Sequence, residues 1–456
     1  MNIKEIIASQ RAYFKTGITH DITFRKTMLK QLKAKIQQKE EEIFEALYLD
    51  LGKSRTEAYM SEVGMVYSEI DHMLKYMNRY AKIKRVATPL AQFKAKSQII
   101  SSPYGSVLIM SPWNYPFLLT MDPLVDALAS GNTVVLKPSD YSHHTALVIE
   151  KIIYEIFPSP YVHTVLGGRV ENQDLLNQRF DYIFFTGGKT VGRLVMEKAS
   201  VNLTPMTLEL GGKSPCIVDE TASLDLAAKR IAFGKLLNVG QTCVAPDYVL
   251  VHESVFQQFL EKLKTAMTMM VGENPLDSKT YGHIINEKHF QRLLGLMNTK
   301  KIVYGGASNL QSLKIAPTIM TGITMKDAIM QEEIFGPILP ILTFKSIEQV
   351  IPIIEKNPYP LALYYFTNDV KRQQFLLTQV SFGGGCINDT VVHLATSQMG
   401  FGGVGESGMG QYHGKFGFDT FTHYKSVMIR SNVVDLSLRY PPYDTKKEKL
   451  IRRFLK

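Results

Sequence analysis

Thr133-Val134-Val135-Leu136-Lys137-Pro138-Ser139-Asp140 is the stretch on which the reading of the fold turns. Five residues dominated by β-branched and aliphatic side chains stop at Pro138, which cannot donate to a sheet ladder. A helical pattern follows around Ala146 to Phe157, then a second apolar run, Val162-His163-Thr164-Val165, a short helix near Leu175, and a third run, Tyr182-Ile183-Phe184-Phe185. Strand and helix in alternation imply an α/β fold, a parallel sheet with helices on both faces. Such sheets take their ligands at the carboxyl ends of the strands, and a dinucleotide is the usual one.

The pattern extends both ways. Upstream, Met28, Leu29, Leu32, Ile36, Ile43, Phe44 and Leu47 fall at helical spacing within 20–52, with Gly52 as the stop, and a second amphipathic segment runs from Glu57 to Tyr80. Ile99-Ile100, Pro103-Tyr104-Gly105 and Val107-Leu108-Ile109-Met110 read as a hairpin. Leu118 to Ala129 reads as a helix ended by Gly131. Downstream the chain leaves this unit near Leu208-Glu209-Leu210-Gly211-Gly212, and Ser214 to Val218 begins a second alternating set that ends near Asn388. From Phe418 the alternation Phe421, Tyr424, Val427, Ile429 reads as a strand pairing outside its own domain.

A chain of 456 residues exceeds one ordinary core, so two or three domains are expected. Hydrophobic residues at 45% and charged residues at 21% exclude a disordered chain. Three cysteines argue against a disulfide framework and for a reducing compartment, and without CxxC, CxxH or HExxH no metal site is expected. The net charge of +10 is spread along the chain and reads as a solvated basic surface, not a nucleic-acid site. The start, Met1-Asn2-Ile3-Lys4-Glu5, lacks the apolar core of a signal peptide, and no apolar run reaches the roughly 20 residues of a bilayer span. The expected location is cytoplasmic.

Several residues carry chemistry. Cys243, in Asn238-Val239-Gly240-Gln241-Thr242-Cys243-Val244-Ala245-Pro246, sits where a helix gives way to the strand Asp247–His252; a small buried hydrophobe is the alternative reading. Glu209 lies between Leu208 and Leu210, a setting that raises a carboxyl pKa toward general-base work, unless it faces solvent. Asn114, in the proline-bounded loop Pro112-Trp113-Asn114-Tyr115-Pro116, is the amide type of an oxyanion hole or a simple turn cap. Phe185-Thr186-Gly187-Gly188-Lys189 runs from strand to helix start, where free N–H groups receive a diphosphate; an ordinary tight turn is the alternative. Lys137 could reach ribose hydroxyls, and Asp140 would repel the extra phosphate of NADP. Gly403-Val404-Gly405-Glu406-Ser407-Gly408 has the glycine spacing of a nucleotide loop but no preceding strand or following helix, and reads as a mobile loop near a site.

Together these motifs, with Leu208–Pro215 and Glu332-Glu333-Ile334-Phe335-Gly336-Pro337 in the same order, resemble the aldehyde dehydrogenase superfamily over nearly the whole chain. Cys243 to Tyr248 and Arg439-Tyr440-Pro441-Pro442-Tyr443 are most similar to its class 3, fatty and aromatic aldehyde branch. The resemblance implies two doubly wound parallel-sheet domains plus a small β bridging element: 1–81 and 106–210 for NAD, 211–390 for catalysis, 82–105 and 418–440 for bridging and oligomerisation, and 441–456 as a basic tail. It implies oxidation of an aldehyde to an acid through a thioester on Cys243, with Asn114 and the Cys243 N–H as oxyanion donors and Glu209 activating water. It further implies a homodimer and NAD, with NADP as alternative, held by Lys137, Asp140, Gly187, Gly188, Val191, Glu333 and Phe335. Trp113, Tyr115 and Phe401 suggest an apolar tunnel for aromatic or medium-to-long aliphatic aldehydes. Asp140 stands where many relatives have Glu, and Gly188 where many have Ser. Competing readings are a coenzyme A-acylating dehydrogenase and a catalytically silent binding protein. Lys446 to Lys456 reads as a disordered, solvated end, with a short helix on anionic membranes as the alternative.

Overall fold

The computed structural model describes residues 2–455; Met1 and Lys456, the outer ends of the expected 1–81 and 441–456 segments, lie outside the described residues, as does the side chain of Phe454. β1 (Lys84–Val86) and β2 (Ala95–Pro103) run antiparallel. β3 (Ser106–Met110), β4 (Thr133–Lys137), β5 (Val162–Thr164), β6 (Tyr182–Gly187) and β7 (Met206–Leu210) form a parallel sheet in the order β7-β6-β3-β4-β5. The chain builds outward from β3 on one side, then returns to build on the other. The order therefore reverses between β3 and β6, leaving a crevice at their carboxyl ends. Both β3 and β4 are buried along their length, which is why their sequences show no polar alternation. On one face the fully buried helix Leu118–Ser130 is covered in turn by Ile22–Gln38 and Gly64–Tyr80. On the other, Ile6 and Ile7 of the helix Ile3–Lys15 pack with Leu108, Val135 and Ile183.

The second sheet contains β8 (Pro215–Val218), β9 (Tyr248–His252) and β10 (Ile302–Tyr304). After a separate ribbon of β11 (Ser308–Asn309) and β12 (Lys314–Ile315) come β13 (Thr318–Met320), β14 (Ile338–Phe344), β15 (Ala362–Phe366) and β16 (Gly384–Ile387). The order is β10-β13-β14-β9-β8-β15-β16, parallel throughout except at the edge strand β10. β17 (Gly408–Met409) returns to the first sheet, antiparallel to β7, with Gly408 opposite Glu209. β18 (Thr422–Arg430) pairs with β2 along all nine of its residues, completing the small sheet β1-β2-β18.

Four local expectations change. The hairpin does not form: β2 belongs to the small sheet and β3 to the six-stranded one, so Pro103–Gly105 is a passage between sheets. Turn chemistry alone cannot say which partner a strand will take. The glycine-rich 403–408 loop is an ordered edge, fixed by β17, by hydrogen bonds between Val404 and Ser407 and by a Lys189–Glu406 ion pair of 2.8 Å. The segment 57–80 is not one helix: Arg55–Ala58 runs into a π-helical turn, Tyr59–Val63, before Gly64–Tyr80. The tail is helical rather than disordered: Asp444 caps Thr445–Phe454 at the Lys447 N–H (2.7 Å), and Glu448 pairs with Arg452 one turn on (2.8 Å). Among the described residues no helix is long and apolar enough to cross a membrane.

Candidate active site

Consecutive strands of the first sheet carry their candidate residues at the carboxyl edge: Glu209 on β7, Gly187 on β6, the Asn114 loop after β3 and Lys137 on β4. The second sheet brings its residues at the amino edges of two neighbouring strands, Cys243 before β9 and Glu333-Ile334-Phe335 before β14. These edges meet. Asn114 Nδ2 donates to the Gln241 carbonyl at 3.0 Å, and Tyr115 Oη lies 2.6 Å from Thr242 Oγ1.

The helix Leu224–Leu236 ends in three successive left-handed residues, Asn238 (φ 51°), Val239 (φ 57°) and Gly240 (φ 74°). Left-handed backbone costs about 1–2 kcal/mol per L-residue and is least tolerated by a β-branched one such as Val239. Hydrogen bonds hold it: the Asn238 N–H donates to Glu57 Oε1 at 2.6 Å, and Asn238 Nδ2 to the carbonyls of Asn114 (2.7 Å) and Gln241 (3.0 Å). Only glycine fits at 240, because a Cβ there would lie 2.3 Å from the Gly336 carbonyl oxygen. That close approach joins the Cys243 loop to the Glu333 loop. Strain of this kind concentrates at functional sites.

Glu209 is 3% exposed, and neither of its carboxylate oxygens has a hydrogen-bond partner among the described residues. Burial raises its carboxyl well above the ordinary range, as the flanking leucines led us to expect. Cys243 is half-buried. Burial first, then the nearby Glu333 and Glu209, push its thiol up to about 12, although the N–H groups of Cys243 and Val244 act the other way. The protein alone therefore favours the neutral thiol. A cation brought beside the sulfur would act in the opposite direction and lower the thiol pKa.

The residues proposed from sequence for a cofactor occupy the same seam. Lys137 is buried and donates to the carbonyls of Pro138 (2.8 Å) and Gly167 (2.6 Å); burial lowers its amine, while the Asp140 and Glu171 carboxylates act oppositely. Asp140 itself is exposed. Gly188 precedes the twelve-residue helix Lys189–Ser200, and a Cβ on it would project into open space. Val191 lies exposed on that first turn. Glu333 has one oxygen buried without a partner, and burial with the neighbouring Asp247 pushes its carboxyl up to about 8. Trp113 packs edge-on against Phe335 with ring centroids 5.3 Å apart, which puts it on this side.

Tyr115 and Phe401 border a cavity of about 160 Å³ that opens onto Cys243; Trp113 does not. Its walls include Met60, Met65, Leu118, Leu119, Phe233 and Leu237, so it is overwhelmingly apolar. Sequence reading missed these helical residues, together with Tyr412 and His413, whose rings lie tilted with centroids 4.1 Å apart at the cavity wall. It also missed Lys235, fully buried with Nζ unpartnered among the described residues, its amine lowered by burial to about 8 near Asp247, Lys213 and Glu333. A helix-interior Lys or Met carries no local sign of facing a site.

A sequence profile described as the aldehyde dehydrogenase family matches residues 1–427. The chain is 48% identical over 456 residues to 4,4'-diaponeurosporen-aldehyde dehydrogenase of Staphylococcus aureus (strain NCTC 8325 / PS 47), covering 100% of this chain and 99% of that one. It is 43% identical to the dimeric NADP-preferring aldehyde dehydrogenase of Canis lupus familiaris, over 96% of this chain and 98% of the relative. Its fold matches a substrate-bound structure of Staphylococcus aureus AldH with a TM-score of 0.98, at 48% identity and 100% coverage of both chains. This protein is an oxidoreductase, and it belongs to the aldehyde dehydrogenase family.

Proposed function

We propose that Cys243 is the nucleophile, Asn114 the oxyanion donor and Glu209 the base in oxidation of an apolar aldehyde to its acid. The observation that carries this reading is an unpartnered buried carboxylate, Glu209, within electrostatic reach of a half-buried thiol at the end of an apolar cavity. A carboxylate left without hydrogen bonds is costly unless a substrate or water uses it. In this reading 1–81 and 106–210 carry the cofactor, 211–390 the nucleophile, and 82–105 with 418–440 bridge subunits.

The unpartnered Glu333 oxygen and the open space over Gly188 fit a dinucleotide: Glu333 would take the nicotinamide ribose with Phe335 beside it, Gly187, Gly188 and Val191 would border the diphosphate, and Lys137 would hold the adenosine ribose. Bound NAD or NADP supplies the hydride acceptor. The Cys243 thiol gives its proton to water as Sγ bonds to the aldehyde carbon, and the Asn114 side-chain amide with the Cys243 N–H stabilises the oxygen that becomes anionic. Loss of hydride leaves a thioester on Cys243. Glu209 then takes a proton from water, whose oxygen displaces the sulfur. Replacing Cys243 by Ala should abolish oxidation while NADH still changes the emission of Trp113, the sole tryptophan. Turnover by that variant would end this reading.

The pH dependence follows in sign. Glu209 works as a base only when deprotonated, and its raised carboxyl delays that to higher pH. Steady-state turnover should rise with pH through a limb lying above the ordinary carboxylate range, and Glu209→Gln should remove that limb. A wild-type profile flat down to pH 5 would contradict the assignment.

The apolar walls support aromatic or medium-to-long aliphatic aldehydes. For the cofactor, Asp140 beside Lys137 supports NAD over NADP through repulsion of the extra phosphate. In a panel of aldehydes assayed with each cofactor and no coenzyme A, kcat/KM should increase with apolar size, and Asp140→Asn should improve NADP use relative to NAD. An absolute requirement for coenzyme A, or preference for short polar aldehydes, would overturn this.

We also infer a homodimer. β18 ends the small sheet with an unpaired edge carrying exposed Tyr424, Met428 and Ile429, the kind of edge a second chain covers, and one close relative is named dimeric. Sedimentation should give twice the chain mass; a monomer at micromolar concentration would refute it. A reactive thiol among three unpaired cysteines supports a cytoplasmic setting.

A further inference from the structure

Residues 53–62 touch both catalytic loops and the cavity between them, and sequence reading assigned them no function. Lys53 and Glu62 form an ion pair whose side chains are 1% and 0% exposed. Lys53 Nζ also donates to the Asn114 carbonyl at 3.1 Å and sits 3.9 Å from the centre of the Tyr115 ring. The other Glu62 oxygen accepts the N–H groups of Phe117 (2.8 Å) and Leu118 (3.1 Å), capping the helix that follows the Asn114 loop. Five residues earlier, Glu57 grips the N–H of Asn238 in the left-handed turn before Cys243. Between them Met60 and Ser61 border the cavity. A regular α-helix turns 100° per residue, so Glu57 and Glu62 would project about 140° apart; the π-helical turn Tyr59–Val63 widens the spiral and changes that angle.

We propose that the Lys53–Glu62 pair with Glu57 is a positioning clamp: it fixes the Asn114 carbonyl and the Asn238 turn, and so sets the distance between the oxyanion donor and the Cys243 sulfur. The Asn114 carbonyl receives two donors, Lys53 Nζ and Asn238 Nδ2, which leaves its peptide no freedom to rotate. The amide of the same residue is then carried to one place. An ion pair out of contact with water costs desolvation and is a poor source of stability, so its geometric role is the reason to have it. The inference rests on Asn114 being the oxyanion donor, and the test separates the two.

Lys53→Met, Glu62→Gln and Glu57→Gln are compared with wild type and combined with Asn114→Ala. The clamp predicts that each single variant lowers kcat by about tenfold or more, the usual result of misplacing a reacting group by an ångström, with a smaller change in KM. In the Asn114→Ala background the same changes should cost less than about twofold, because the group they position is already gone. Lys53→Arg, which keeps the charge and its donors, should recover part of kcat. Full activity of Asn114→Ala alone would remove the oxyanion assignment. A slow Asn114→Ala with unaffected clamp variants, or with losses that multiply fully in the double variants, would remove the clamp. Breaking a buried pair can prevent folding; should Lys53→Met and Glu62→Gln yield no folded protein, the half-buried Glu57→Gln decides alone by the same two criteria.

Discussion

Two sheets meet here edge to edge, the carboxyl ends of one against the amino ends of the other, and Cys243, Glu209 and Asn114 lie along that seam. The constraint is backbone packing. Gly240 lets the Cys243 loop touch Gly336, and at Gly211 a Cβ would fall 2.0 Å from Glu333 Oε2. At Gly240 the obstacle is backbone and a side chain has no room; at Gly211 one would displace the Glu333 carboxyl. Moving one sheet against the other would break the hydrogen bonds from Asn114 to Gln241 and between Tyr115 and Thr242, and would separate Cys243 from Asn114.

The electrostatics of the seam are unfinished in the protein alone. Glu209, Glu333 and Lys235 each hold a buried polar atom without a partner among the described residues, and the Cys243 thiol is held in its neutral form. A folded protein tolerates few such groups, because each costs about 1–3 kcal/mol when left unmatched. In the proposed reading, a substrate and a cofactor would complete the set. In that reading the positive charge of bound NAD or NADP would act against Glu333 and Glu209, the two carboxylates that oppose ionisation of Cys243.

Much of this was legible in the sequence, and the limits have physical causes. The alternation from Thr133 to Phe185 was readable because strands buried on both faces must be apolar throughout. Glu209 was readable because a carboxylate between two leucines of a strand is in conflict with its surroundings. The Lys53–Glu62 pair was not, since buried and exposed charges look alike in one dimension. The cavity walls come from Met60, Leu118 and Phe233, helical residues whose spacing says only that they face inward. The edge strand Gly408–Met409 is two residues long and contains a glycine, below any pattern threshold, yet it pairs with Glu209. Composition near Pro103 signals a break between two strands, but the partner of each flanking strand is decided by the whole sheet. For the tail, charge density concealed an N-cap and an Arg452–Glu448 pair sufficient to register as a helix.

The central claim is that a covalent acyl group forms on one particular sulfur and leaves by way of Glu209. Peptide mass spectrometry of Glu209→Gln, quenched with acid within the first turnovers of an aldehyde and NAD, tests it most directly. The account predicts an added acyl mass on the peptide containing Cys243, absent without NAD and lost slowly on incubation. An unmodified Cys243 peptide during product formation, or the acyl mass on Cys216 or Cys386 instead, would contradict it.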